Sequence, residues 1–376
     1  MPAVTTTDPK WVAPESHSAL EAAFLPLMRD ERDLIFIRVC AMMTVTVLPA
    51  AAALFLFAEP WLAFAVAPVY IGALFLAYGG RYGLMLHATG HRPIFKREHL
   101  WIQNYIPFVL GPFMGHTPTS FAAHHMWMHH AENNMFADHS CTLPYKRDSL
   151  PHFLHYFLRF FLLGQPHLIR YLTLRGRNRI ALRFLLGELS WFVLVGVALW
   201  LNWAAALVVF VLPLLFMRFL LMAGNWAQHA FVDLDDPDNG FKNSSNLTNT
   251  SYNHLAYNDG YHIVHHEKPA MHWTEMAKYY EDNQQLFADA DSIVFDGILD
   301  NLFLWVLLMG QRYDMLARHL VDFHGRSHAE KVAFLQGRAR RQQGRIPGIF
   351  AFETAESVAR TARVSTIPVE QALAAE

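Results

Sequence analysis

Cysteine is almost absent from this chain of 376 residues: Cys40 and Cys141 are the only two, and they lie far apart. They cannot form a disulfide framework or a cysteine-rich metal site, and they fall short of the four ligands that an iron–sulfur cluster needs. Charge is scarce as well, with 16% charged residues and a net charge of -2. No basic face or stripe marks the chain for nucleic acid. There is no dinucleotide-binding fingerprint and no H-E-x-x-H motif, so the chain carries neither a cofactor of its own for supplying electrons nor the usual zinc-protease signature. The first 30 residues are polar and lack a compact apolar core with a small-residue cleavage site, so no signal peptide is expected to be removed.

What abounds is apolar surface. Hydrophobic residues make up 53%, with 29 Phe and 10 Trp, too greasy for an ordinary soluble domain. Two hydrophobic hairpins organise it. The first runs from about Leu34 to Leu86 and breaks at Glu59 and Pro60; the second runs from about Phe184 to Gly224 and turns near Asn202, with Trp200 and Trp203 at the turn. Each arm has about the 20 residues that cross a bilayer, uncharged in the first hairpin and with Glu188 and Arg218 near the arm ends in the second, and aromatic rings favour the interface. Eleven Lys or Arg lie from His87 through Arg183, whereas the two hairpin turns contain none. By the positive-inside rule the middle segment and both termini are expected on the cytoplasmic side, of a bacterial inner membrane or the endoplasmic reticulum.

The same side carries an excess of imidazole. Directly after the second span, "HATGH" sets His87 and His91 four residues apart on one helix face. "HHMWMHH" holds His124, His125, His129 and His130. "NWAQH" follows the fourth span with Asn225 and His229, and "GYHIVHH" gives His262, His265 and His266 at i, i+3, i+4. A continuous helix from Trp61 lifts His87 by roughly 39 Å and one from Ala204 lifts His229 by roughly 38 Å, so both emerge just above a hydrocarbon core of roughly 30 Å. Neutral imidazole binds transition metals without bringing a charge that must be desolvated. Nine histidines in four groups could surround two metal ions. In a regular helix His130 lies off the face shared by His125 and His129, which requires either a widened turn or another ligand, for which His124 is the substitute.

These boxes, in this order over roughly residues 30 to 285, resemble those of the integral-membrane fatty acid desaturase superfamily: H-x3,4-H, H-x2,3-H-H and H-x2-H-H. The Asn-x3-His element at Asn225 and His229 resembles that of stearoyl-CoA desaturases, which implies that Asn225 meets one metal through water. The three-residue spacing of the first two boxes looks more like acyl-lipid desaturases, hydroxylases and alkane monooxygenases. The resemblance implies an all-α integral membrane fold of four transmembrane helices in two hairpins, with a cytoplasmic helical cap carrying a dimetal site. It also implies two non-haem iron ions, O2, and a fatty acyl substrate. The expected organisation is an N-terminal segment over 1–33, the membrane and histidine-box domain over 34–285, a helical cap over 286–345 and a tail of unassigned role over 346–376.

Forming one double bond and two waters from O2 takes two electrons beyond those of the substrate. A separate ferredoxin, rubredoxin or cytochrome b5 with its reductase is expected to supply them. Glu132 and Asp259 stand beside the second and last boxes, either as carboxylates orienting ligand imidazoles or as solvated surface acids. Trp127, Met128 and Trp226 are candidates for an acyl tunnel or for ordinary packing. The sequons at Asn243, Asn246 and Asn249 fall on the cytoplasmic side and are expected to be unused. "GRARRQQGR", with Arg338, Arg340, Arg341 and Arg345, either leans on anionic lipid headgroups or forms a solvated basic tail. Desaturation is the favoured outcome; lipid hydroxylation, and more distantly a non-redox zinc lipid hydrolase, remain open.

Overall fold

The structure, a computed structural model, describes residues 5–57 and 59–352. In chain order the helices that matter for function are α1 (Leu34–Phe55), α2 (Pro60–Leu74), α3 (Gly80–His91), α4 (Ser120–His124), α5 (Leu150–Leu174), α6 (Asn178–Leu201) and α7 (Leu212–Gln228). After strand β1 (Ser245–Thr248) come α8 (His262–Glu267), strand β2 (Ile293–Asp296), α9 (Asn301–Met309) and α10 (His328–Arg340). Four stretches are long and apolar enough to cross a membrane: Glu31–Phe55, Pro60–His91, Asn178–Leu201 and Trp203–Gln228. These are the four arms expected from the uncharged runs.

The described residues form two compact units, interleaved along the chain. One takes residues 11–57, 59–126 and 176–219; the other takes 5–10, 127–175 and 220–352.

In the first unit, the spans expose valines, leucines and phenylalanines such as Val69, Leu76 and Phe192, as lipid-facing surfaces do. Pro60 opens α2 at a position where its missing N–H costs nothing. Asn202 ties the two hairpin turns together: its Oδ1 accepts from the Ala205 N–H at 3.1 Å and its Nδ2 donates to the Phe57 carbonyl at 3.0 Å. The stretch from Arg97 to Met114, whose apolar part from about residue 102 is too short to span, folds as a succession of tight and widened helical turns. The Tyr82 hydroxyl donates to the Ile106 carbonyl at 3.0 Å, and Tyr105 meets Thr44 at 2.7 Å. Gly115 closes this stretch with φ 79°, and a Cβ there would lie 2.2 Å from the Pro213 carbonyl oxygen. Only glycine permits both that backbone and that approach.

The second unit is organised by polar groups inside. Between His130 and α5 the chain has almost no regular structure, yet Asn134, Ser140, Thr142 and Arg147 are completely buried. The Arg147 guanidinium makes this possible by donating to the carbonyls of Ala230 at 2.9 Å, Tyr145 at 3.0 Å, Thr142 at 3.4 Å and Arg338 at 2.7 Å. It thereby satisfies backbone groups that would otherwise be orphaned. Within this mostly helical fold, β1 and β2 pair in parallel from Ser245↔Ile293 to Thr248↔Asp296 and share backbone hydrogen bonds. In the basic C-terminal stretch, three of the four arginines have carboxylate partners within the unit. Arg338 pairs with Asp233 at 3.0 Å, Arg340 with Asp148 at 2.7 Å and Arg341 with Asp235 at 2.6 Å. At the other end Asp8 accepts from the Tyr261 hydroxyl at 2.6 Å and the Asn249 N–H at 2.8 Å.

Candidate metal centre

Four of the nine box histidines converge within the second unit. His129, His229, His262 and His266 each offer a ring nitrogen, and these four atoms lie within 4.8 Å of one another. His262 Nε2 is 3.3 Å from His229 Nε2 and 3.1 Å from His266 Nε2. Two ligands at right angles, each about 2.1 Å from one metal, stand about 3.0 Å apart, so these separations suit a shared ion. Three local structures deliver the rings. His229 lies one residue beyond α7, and His262 and His266 are four apart on α8. His129 ends a widened helical turn, His125–His129.

That turn is the one the spacing required, and it parts two histidines that would share a face in a regular helix. His129 goes to the four-ring group, whereas His125 joins His87 and His91 in the first unit. Their ring centroids are 4.5 Å (His87–His125), 5.1 Å (His91–His125) and 5.2 Å (His87–His91), all edge-on. Phe121 stacks on His125 at 5.0 Å. In the second unit His130 and His265 set their Nε2 atoms 2.7 Å apart, and His130 also stacks on His266. His124 belongs to neither the four-ring nor the three-ring group.

The far side of the four-ring group is held by residues that spacing did not single out. His129 Nδ1 meets Asp138 Oδ2 at 2.6 Å, while the other oxygen of Asp138 accepts from the Ser140 N–H and hydroxyl at 2.8 and 2.7 Å. His229 Nδ1 donates to the carbonyl and side-chain oxygens of Asn243, both at 2.9 Å. A ring whose Nδ1–H is committed in this way presents the lone pair of Nε2 to a metal. Burial, reinforced by the neighbouring His129, pushes the His229 imidazole down to about 4, which keeps it neutral. Asn243 is fully committed in turn, its amide donating to the carbonyls of Asn133 and Pro237. The sequon residues thus have structural partners: Asn246 Oδ1 accepts from the Ile263 N–H at 2.8 Å, inside α8, and Asn249 Nδ2 donates to Asp296 at 2.7 Å.

The remaining candidates take varied places. Asn225 Nδ2 donates to the Ser140 carbonyl at 3.2 Å and the Tyr156 hydroxyl at 2.8 Å; a carbonyl accepts only from the nitrogen end, which fixes the amide's orientation. Glu132 and Asp259 are buried, against the reading of solvated acids. Glu132 accepts from the Tyr171 hydroxyl at 2.6 Å and pairs with Arg175, while Asp259 accepts from Tyr252 at 2.6 Å and from Gln228, the neighbour of His229, at 3.2 Å. Trp226 is enclosed by Tyr145, Phe153 and Tyr156 and donates to the Arg147 carbonyl at 2.8 Å. Met128 is buried with its sulfur on the His139 N–H, and Trp127 is buried as well.

No curated protein and no solved structure matches the chain. A family model described as fatty acid desaturase matches residues 59–297, a stretch that begins at the first hairpin turn, runs through all four histidine boxes and ends just after β2. That match covers well over half of the 376 residues, and the chain belongs to the fatty acid desaturase family.

Proposed function

We propose that this protein is a membrane-bound di-iron desaturase that uses O2 to introduce a double bond into a long fatty acyl chain. The nine box histidines, His87, His91, His125, His129, His130, His229, His262, His265 and His266, are the ligands of two irons, of which His129, His229, His262 and His266 share one. Family membership supports the coarser reading of a desaturase- or hydroxylase-type oxidoreductase acting on fatty acyl lipid. The observation that carries the finer one is the convergence of four imidazole nitrogens within 4.8 Å.

When bound, the iron pair supplies the means to activate O2 and to take hydrogen from an unactivated C–H bond. The chain's own residues do the rest. Asp138 and Asn243 keep the Nδ1 protons of His129 and His229 in place, so that both rings ligate through Nε2. With its Nδ2 committed to Ser140 and Tyr156, Asn225 would have its amide oxygen to offer as the acceptor of a water held by the ion. In balance, the acyl chain loses two hydrogens, a separate one-electron carrier protein delivers two electrons, two protons come from solvent, and O2 leaves as two waters. The histidine-bearing side is cytoplasmic, where such a carrier docks.

Expression in a host with a simple lipid profile, followed by mass spectrometry of total fatty acids, tests the reaction. Acyl chains lighter by two hydrogens are expected. Chains heavier by one oxygen with no new double bond would establish hydroxylation, the outcome favoured by the likeness of the H-x3-H-H second box to hydroxylases. Metal analysis of the purified protein is expected to find two irons per chain. Zinc alone after iron-replete expression would overturn the redox reading, and sustained turnover with NAD(P)H and no carrier protein would overturn the external donor.

A further inference from the structure

Helix α5 buries polar groups among its core residues and leaves a row of leucines exposed. Of its residues, Tyr156, Arg159, His167 and Tyr171 are buried, and they make specific contacts: Arg159 donates to His139 Nδ1 at 2.8 Å and to the Ala351 carbonyl at 3.1 Å, and Tyr171 donates to Glu132. The opposite face carries Leu150, Leu154, Leu158 and Leu162, one per turn, each between 42% and 50% exposed. A helix on a water-facing surface shows the reverse arrangement, and a continuous exposed apolar strip of this kind marks a surface that meets something apolar.

What it meets is indicated by the chain that follows. Exposed Arg170 continues the leucine row, and Arg177, Arg179 and Arg183 come soon after. Only residues 175–177 separate Leu174 from Asn178, where a 24-residue membrane-spanning helix begins. Three residues reach no further than about 14 Å even when extended, so the end of α5 is tethered at the bilayer surface. The helix itself is about 37 Å long, and an apolar stripe ending in arginines is the composition of a helix lying in the interface.

We propose that Leu150–Leu174 lies in the plane of the membrane surface, with Leu150, Leu154, Leu158 and Leu162 sunk among the acyl chains. This surface is independent of which reaction the protein performs. The unmodified full-length protein is reconstituted in vesicles of phosphatidylcholine and phosphatidylglycerol that contain a lipid with a photoactivatable diazirine on its acyl chain. After illumination, peptides are sequenced by mass spectrometry. Lipid adducts are expected on residues 150–162 as well as on the four spans; adducts on the spans with none on 150–162 would overturn the proposal.

A second measurement places nitroxides on cysteines substituted one at a time for Leu154, Leu158 and Leu162, in a Cys40→Ser, Cys141→Ala background. Collision rates with O2, which concentrates in lipid, are compared with those for a water-soluble nickel chelate. The ratio is expected to be several-fold higher on the leucine row than at exposed Lys278. Equal ratios, or spin–spin broadening that assigns the row to contact with a second copy of the chain, would refute membrane burial.

Discussion

The imidazoles of the two units are held in place by different means. In the first unit, His87 and His91 sit four apart at the end of a helix that has just crossed the bilayer, and His125 completes an edge-on trio. Helical spacing places His87 and His91 on one face there. In the second unit the four-ring group is assembled from a widened turn, the end of a span and a helix of six residues, and hydrogen bonds take over: Asp138 fixes His129 and Asn243 fixes His229. The contrast teaches that where the backbone is irregular, hydrogen bonds behind individual rings, here those of His129 and His229, help to fix them.

Breaking the ligands themselves should have the largest effect and should be the same in both units. His229→Ala and His87→Ala are each expected to abolish turnover and to lower bound iron, with His17→Ala and His152→Ala as controls. Wild-type metal content and activity in either box variant would sink the dimetal assignment. Next comes the scaffold beneath the second unit's polar interior. Arg147→Met strands four carbonyls at about 1–3 kcal/mol each, so a net loss of several kcal/mol is expected, read as a much lower unfolding temperature in detergent. An unchanged unfolding temperature would show that the irregular segment does not depend on this side chain.

Asp138→Asn separates the two positioning devices. It should weaken metal binding by about 10–100-fold, the usual cost of losing a carboxylate behind a ligand histidine, as measured by competition with a chelator. Because the trio does not use Asp138, one class of metal should become labile while the other stays; equal loss of both would contradict independent positioning. The smallest effect is expected for Asn225→Ala. A second water can replace much of a water-mediated contact, so turnover should fall only a few-fold, and complete inactivation would mean that the amide ligates directly.

Much of the first unit was legible in the sequence, because uncharged runs of bilayer length and an i, i+4 histidine pair report regular helix. The widened turn at His125–His129 was foreshadowed by the position of His130 off the shared face, although spacing could not say which ring went where. Asp138 and Asn243 were illegible for a physical reason. Each acts from an irregular segment that no periodicity describes, and Asn243 carried the competing signal of a sequon. Glu132 and Asp259 were read as more at home in solvent than inside, since an acid beside a histidine box does not announce its Tyr171, Arg175 and Tyr252 partners. The leucine row of α5 was not singled out in the sequence at all, and only the structure shows which of its residues are exposed.

The second unit's four-ring group also imposes an order of events on the making of the protein. His129 leaves the ribosome 137 residues before His266 (266 − 129 = 137), an interval on the order of ten seconds at about 5–20 residues per second. All four membrane-crossing stretches, the last of them Trp203–Gln228, are synthesised before the fourth ring exists. On the proposed assignment, a complete four-imidazole site is therefore formed only after all four spans have been synthesised.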